Sequence, residues 1–245
     1  MTERTASSAT SSDWTRAGVV YAVAVFLLAA LALLFAAREA GGLLPQGQWM
    51  VALFFLAYGF FTISVGYRGP NQHYYSFDRI AQVASILVLG PVAAAGINGL
   101  ASLLYPLHRL RQGVAWRHVL YAALTNAGIM SLSILAAGLL YVAVGGEVPL
   151  NALDGRAWIA LALLVLAMQV LNDSAMLGLQ MLLGRGRRDS FSLFSYALEL
   201  GSAVAAVLVA LVYNRMEMAV FVLLLAVLGV GMLALRQFAE MRYRL

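Results

Sequence analysis

The stretch of sequence that most restricts how this chain can fold is 76–107, SFDRIAQVASILVLGPVAAAGINGLASLLYPL. It is apolar from Ile80 onward and is interrupted by Gly90-Pro91. As one straight helix, residues 80–107 would be about 42 Å long, which exceeds a hydrocarbon core of about 30 Å, yet they are too few for two full spans. Proline lacks an amide proton and disfavours helical geometry at the residue before it. Gly90-Pro91 is therefore either a tight turn between two short antiparallel segments or a severe kink.

The composition is that of a polytopic helical membrane protein. Hydrophobic residues make up 62% of the 245 and charged residues only 11%, whereas a soluble domain carries about 25% charged residues. Cysteine is absent, which excludes disulfides and thiolate metal sites. All 16 basic residues are arginine, and in a membrane protein such an excess reports orientation, not nucleic-acid binding. We predict an all-α membrane bundle of about eight segments, with no soluble domain, metal or cofactor.

Apolar runs of about 20 residues define the segments. The polar, Ser- and Thr-rich residues 1–16 are expected to form a disordered cytoplasmic N-terminus. The transmembrane domain is expected over 17–235, and 236–245 is expected to begin a cytoplasmic signalling helix. Besides 76–107, which counts as two segments, the predicted spans are 17–37, 48–66, 119–144, 157–183, 191–212 and 219–235.

The arginines distinguish the turn from the kink. If Gly90-Pro91 is a turn, 13 of the 16 arginines lie on one side of the membrane, and Arg38, Arg156 and Arg215 lie opposite. If 76–107 crosses only once, the division becomes 10 to 6. The positive-inside rule therefore favours the turn, with both termini in the cytoplasm of a bacterial inner membrane.

Polar residues inside the predicted spans form the candidate functional site. At about 1.5 Å per residue they lie roughly 10–15 Å from the arginine-rich side. An ionised carboxylate at this depth costs about 2.5–3.5 kcal/mol, and no arginine is expected deep in a span to neutralise one. We therefore expect Asp173 and Glu199 to face each other and not to be both ionised. The layer is either a ligand, proton or cation site or a set of hydrogen bonds that fixes helix packing. Its members are Asn98, Asn126, Asn172, Asp173 and Glu199.

Two further groups have predicted roles at the membrane surface. His73, Tyr74 and Tyr75 are expected to anchor the chain at the interface, where amphipathic rings are common. The final helix carries Ala234, Phe238, Met241 and Leu245 at the spacing of a parallel coiled-coil seam. This seam predicts a homodimer and a signal output through Phe238, Met241 and Leu245, and the alternative is a solvated stub with Phe238 in the headgroups.

The chain resembles the N-terminal multi-span sensor region of bacterial signalling proteins. The similar features are the LVLGP turn, Leu124-Thr-Asn126 at the start of a span that ends at 138–146, Val170-Leu-Asn172 before the Gly184-Arg-Gly186 turn, and the charged helical exit 236–245. In that family the membrane module precedes a histidine kinase, a GGDEF cyclase or an HD-GYP phosphodiesterase. No output domain follows Leu245 here, so the resemblance implies either a longer natural chain or a separate cytoplasmic partner.

Two function classes follow. The first is a non-enzymatic membrane input module that passes a change of state from its bundle to a cytoplasmic output. The second is a small-molecule binding or transport subunit, because vitamin-capturing subunits of bacterial uptake systems also use short, glycine-broken helices. An intramembrane enzyme is disfavoured, since no set of nucleophile, base and metal can be assembled from the residues.

The predicted topology is tested by labelling single cysteines, because the chain has none of its own. We expect Arg111→Cys and Arg187→Cys to be shielded from an impermeant thiol reagent added outside the cell. Glu147→Cys and Arg215→Cys should be labelled by the same reagent, which makes them the matched controls. Labelling of Arg111→Cys from outside would contradict the turn at Gly90-Pro91.

Overall fold

The computed structural model describes residues 16–68, 74–184 and 193–242 and has the architecture of an all-α bundle. Its eight helices are α1 (Arg16–Glu39), α2 (Trp49–Ser64), α3 (Asp78–Leu89), α4 (Pro91–Leu104), α5 (Trp116–Ala143), α6 (Gly155–Leu182), α7 (Leu193–Arg215) and α8 (Met218–Arg242). A 3-10 helix, Tyr105–Gln112, follows α4. Two short strands, β1 (Tyr67–Arg68) and β2 (Tyr74–Tyr75), pair antiparallel between α2 and α3. The predicted fold class and segment count are confirmed.

The bundle combines full and partial membrane spans. Within the described ranges, five helices are long and apolar enough to cross a membrane: α1, α5, α6, α7 and α8. Their outer faces expose apolar side chains such as Leu31 and Leu34 on α1 and Val230 on α8, which suits a lipid surround. α2 is shorter, with 16 residues, and α3 and α4 have 12 and 14.

The break at Gly90-Pro91 is a turn. Gly90 adopts φ 91° and ψ 168°, a conformation that only glycine tolerates well, and Pro91 occupies the first position of α4. The side-chain amide of Asn98 donates a hydrogen bond to Ser85 Oγ at 2.9 Å. In a continuous helix these two residues would be about 20 Å apart. The chain therefore reverses, and α3 and α4 form a hairpin.

The hairpin lies at the centre of the bundle. Every residue of α3 from Arg79 to Leu89 is buried, which is the pattern of a helix surrounded by protein on all sides. The tip of the hairpin contacts the α5–α6 loop, where the Leu150 N–H donates to the Leu87 carbonyl at 2.8 Å. Asn214 near the end of α7 donates to the Leu150 carbonyl at 2.7 Å. The loop therefore fastens the tip to α7.

The helices share two common ends. At one of them Arg236 on α8 donates to the carbonyl of Ser64 at the end of α2, at 3.1 Å. There too Tyr21 near the start of α1 donates to the Ala175 carbonyl near the end of α6, at 2.8 Å. We call this the arginine-rich end; the described arginines at it include Arg16, Arg109, Arg111, Arg117, Arg236 and Arg242. The opposite end holds the hairpin tip together with Arg38, Arg156 and Arg215.

Close packing of α1 on α5 depends on a glycine. A Cβ at Gly128 would lie 2.8 Å from the backbone nitrogen of Phe26 and 2.8 Å from the carbonyl carbon of Val25. These are backbone atoms, which cannot move aside as a flexible side chain can. Small residues at such positions let membrane helices approach closely.

We expect Gly128→Ala to separate α1 from α5 and to lower the free energy of unfolding by about 1–3 kcal/mol, the usual cost of overpacking. Gly178→Ala on α6 is the matched control, because a Cβ there meets nothing within 4 Å and alanine favours the helix by up to about 1 kcal/mol. Unfolding of the purified protein in mild detergent measures both. Equal effects of the two variants would contradict the close approach.

Candidate functional site

A buried arginine at the base of the hairpin joins three helices. Arg79 is the second residue of α3, and its side chain is only 6% exposed. Its Nε forms a salt bridge with Glu199 on α7. Its Nη1 donates to Gln82 Oε1 on α3 at 3.2 Å, and its Nη2 donates to Gln169 Oε1 on α6 at 3.1 Å. One guanidinium therefore links α3, α6 and α7.

Two glutamines extend this set of contacts to two more carboxylates. Gln169 Nε2 donates to both carboxylate oxygens of Asp173 at 3.0 Å, and Gln82 Nε2 donates to Asp78 Oδ2 at 2.7 Å. Each amide presents its oxygen to the guanidinium and its NH₂ group to a carboxylate, so its orientation is determined by its charged partners.

Two hydroxyls complete the set, since Tyr196 donates to Asp173 Oδ2 at 3.0 Å and Ser76 donates to Asp78. All three carboxylates act as hydrogen-bond acceptors, but only Glu199 contacts the guanidinium directly, whereas Asp78 and Asp173 are linked to it through Gln82 and Gln169. We call the whole set the Arg79 network; its members are Ser76, Asp78, Arg79, Gln82, Gln169, Asp173, Tyr196 and Glu199.

The network lies at mid-depth in the bundle. Gln169 is near the middle of α6, about 20 Å from either end, and Arg79 bonds to it directly. The expectation that no arginine lies deep in the bundle is therefore wrong. The reason is local: the chain folds back inward after α2, and the Phe77 N–H donates to the Thr62 carbonyl at 3.2 Å. α3 consequently begins inside the protein, and Arg79 does not mark membrane orientation.

The predicted pair of acids is brought into one network but not into direct contact. Asp173 and Glu199 are joined through Gln169 and Arg79, so each has its own donors. The expectation that they face each other without a counter-charge is wrong, because Arg79 and Gln169 lie between them. Their shared depth was predicted from the sequence, whereas the arginine and the two glutamines between them were missed.

The predicted asparagines divide between two environments. Asn98 is buried and donates to Ser85 Oγ and to the Ala94 carbonyl, so it fixes the hairpin and takes no part in the Arg79 network. Asn126 and Asn172 instead line an open cavity of about 790 Å³ near the arginine-rich end. Asp78 and Ser76 also line this cavity. We call it the Asp78 cavity, because Asp78 belongs both to it and to the network.

The mouth of the Asp78 cavity is formed by the 3-10 helix. Tyr105, His108 and Arg109 on that helix line it, as does Ile63 near the end of α2. Ser102 on α4 contributes a hydroxyl to the wall. The cavity thus has a carboxylate in its wall, a guanidinium at its mouth, and amides and hydroxyls that can donate or accept hydrogen bonds.

The predicted surface residues have different outcomes. The ring of Tyr75 is buried and lies 6.0 Å from the ring of Tyr67, so it packs within the protein instead of at the lipid interface predicted for it. The backbone of Tyr74 belongs to β2. Phe238 and Met241 are 62% and 60% exposed near the end of α8. His73 and Leu245, like residues 1–15 of the predicted disordered terminus, lie outside the described residues.

Comparison of the chain with protein-family models, with curated proteins and with solved structures gives no match. The architecture alone defines the class: a helical membrane bundle with a central helical hairpin, a buried charge network and an adjoining polar cavity. Among the described residues, no group of three or more His, Asp or Glu side chains could hold a metal ion.

The Arg79 network makes a testable prediction about stability. Arg79→Leu leaves Glu199 without its counter-charge, and we expect the free energy of unfolding to fall by about 3–5 kcal/mol, as for other broken buried pairs. Arg79→Leu combined with Glu199→Leu should be more stable than Arg79→Leu alone, because no unpaired charge remains.

Arg111→Leu on the exposed 3-10 helix is the matched control and should change stability little. Chemical unfolding of the purified protein in detergent measures the free energy of unfolding of the double variant and of three single variants, Arg79→Leu, Glu199→Leu and Arg111→Leu. Simple additivity of the two single effects would show that Arg79 and Glu199 do not depend on each other.

Proposed function

We propose that this chain is a membrane sensory module, which binds a small molecule in the Asp78 cavity and transmits the change to a cytoplasmic output through α8. One contact carries the proposal: Arg236 on α8 donates to the carbonyl of Ser64, and the neighbouring Ile63 lines the cavity. The residue that follows the cavity-lining Ile63 is thus bonded to the exit helix. A displacement of the end of α2 would act on α8 without an intermediate element.

The form of α8 supports an output role. It runs without a break from Met218 to Arg242, as the sequence predicts for these residues. An i,i+4 ion pair between Arg236 and Glu240, at 2.8 Å, stabilises its last turns. The exposed Ala234, Phe238 and Met241 provide the described part of the predicted seam through which two copies would dimerise.

The position of the network supports coupling between the cavity and the rest of the bundle. Asp78 lines the cavity and follows Ser76 at the start of α3, while the adjacent Arg79 binds Glu199 on α7 and Gln169 on α6. A ligand that contacts Asp78 would therefore shift the relative positions of three helices. Such a rearrangement of packed helices is a common basis of transmembrane switching.

The arginines support a location in a bacterial inner membrane with the arginine-rich end in the cytoplasm. Arg79 is buried and no longer counts toward the arginine-rich end, but the opposite end still has the same three arginines, Arg38, Arg156 and Arg215. In this orientation both termini, the mouth of the Asp78 cavity and the end of α8 face the cytoplasm.

A transport or capture subunit is the second candidate, and the open, polar cavity near the arginine-rich end favours it. Passage to the opposite end would require the α5–α6 loop to release the hairpin tip, because Leu150 is fully buried and bonded to Leu87 and Asn214. Uptake of a solute into vesicles by the purified chain would favour this candidate.

The sensory proposal is tested by changing the register of α8. The chain is fused after its last residue to a GGDEF cyclase domain, and one to seven alanines are inserted after Arg236. One inserted residue rotates everything beyond it by about 100°, so we expect altered or locked cyclase activity. Seven residues restore the seam and should largely restore the activity.

A second pair of variants tests the contact itself in the same fusion. Arg236→Ala removes the bond to the Ser64 carbonyl and should change the basal cyclase activity, whereas Arg242→Ala, on the exposed last turn, should not. Uniform activity across all insertions would show that α8 is only a tether, and the sensory proposal would be wrong.

A further inference from the structure

Asp78 lines the cavity, and each of its two carboxylate oxygens accepts one hydrogen bond from within the protein. It is half-buried at the first position of α3, where the helix macrodipole favours negative charge. One oxygen accepts from the Ser76 hydroxyl, and the other accepts from Gln82 Nε2 at 2.7 Å. A carboxylate has about four lone-pair sites, so two remain for a donor in the cavity.

The neighbouring arginine does not neutralise this carboxylate directly. The three guanidinium nitrogens of Arg79 are directed to Glu199, Gln82 and Gln169, and in the described structure the hydrogen-bond partners of Asp78 are the uncharged Ser76 and Gln82. The network contains three carboxyls for one guanidinium. A cationic group in the cavity would therefore be attracted to the Asp78 carboxylate.

The other charged groups of the cavity lie at its mouth. Arg109 is exposed and lines the cavity, and its guanidinium makes no hydrogen bond or ion pair with the described residues. His108 beside it is held by a 2.6 Å contact between its Nδ1 and the Tyr105 carbonyl. Asn126 and Asn172 also line the cavity and offer amide groups that can donate or accept hydrogen bonds. The cavity is thus negative at Asp78 and positive at Arg109.

We propose that the Asp78 cavity binds a zwitterion, with its ammonium group against Asp78 and its phosphate or carboxylate against Arg109. The inference names the ligand class of the proposed sensory site and rests on that proposal only for its biological role. Two sources share this chemistry: the headgroup of a phosphoethanolamine lipid, which would enter from the membrane surface, and a free zwitterion in water.

Binding to the purified full chain in nanodiscs tests the proposal without any output domain. The probes are phosphoethanolamine, ethanolamine and inorganic phosphate, measured by calorimetry in discs of phosphatidylglycerol. We expect phosphoethanolamine to bind, and each half-molecule to bind at least about tenfold more weakly, the loss expected for one hydrogen bond to a charged group. Asp78→Asn and Arg109→Gln should each weaken phosphoethanolamine binding by a similar factor.

The lipid composition distinguishes the two sources. If discs that also contain phosphatidylethanolamine weaken the apparent affinity for free phosphoethanolamine, the lipid headgroup occupies the site. If the affinity is unchanged, the ligand is a free zwitterion. Asp154→Asn is the matched control at the opposite end, where Asp154 accepts from the Ala157 N–H at 2.7 Å and asparagine caps equally well; it should bind as the unmodified chain does.

Three outcomes overturn the proposal. The first is undiminished binding in Arg109→Gln, a surface variant that does not depend on the stability of Asp78→Asn. The second is inorganic phosphate binding as tightly as phosphoethanolamine, which would indicate a simple anion site. The third is that none of the three probes binds in discs of phosphatidylglycerol. None of these changes the insertion result for α8, so failure of this inference is distinguishable from failure of the sensory proposal.

Discussion

The bundle depends on the need to satisfy one buried guanidinium. Arg79 lies where water is excluded, and an isolated arginine there would cost several kcal/mol. Its three contacts, to Glu199, Gln82 and Gln169, repay that cost only if α3, α6 and α7 keep their relative positions. Apolar contacts between helices are not directional, whereas each nitrogen of the Arg79 guanidinium needs its acceptor in one direction. The network therefore specifies which arrangement of the helices is the stable one.

Much of the fold follows from apolar run length and from Gly90-Pro91. The eight segments, the turn and the continuous α8 were all predicted from the sequence, because each depends on local properties of the chain. The depth of Arg79 was not, since a charged residue next to a turn ordinarily lies at the surface. A signal was nevertheless present: residues 80–107 are too few for two full spans, so the base of a hairpin whose tip reaches the opposite surface must lie inside the membrane.

In the candidate site, too, the depth of a residue along its helix could be predicted from the sequence, whereas its neighbours on other helices could not. The depths of Asn126, Asn172 and Asp173 could be counted along single helices. Their separation into a cavity and a charge network could not, because it depends on which face each helix turns toward its neighbours. Gln169, one helical turn before Asp173, is informative only once Arg79 is known to be within reach. Pairings over 90 and 120 residues are beyond what spacing rules can give.

The same distances have a consequence for the order of assembly during synthesis. Arg79 leaves the ribosome 90 residues ahead of Gln169 and 120 residues ahead of Glu199. The hairpin is thus complete before either partner exists, and lipid offers no substitute for them. The loop that fastens its tip, through Leu150, is also made later. The buried contacts of Arg79 with Gln169 and Glu199 can therefore form only after α6 and α7 have been synthesised.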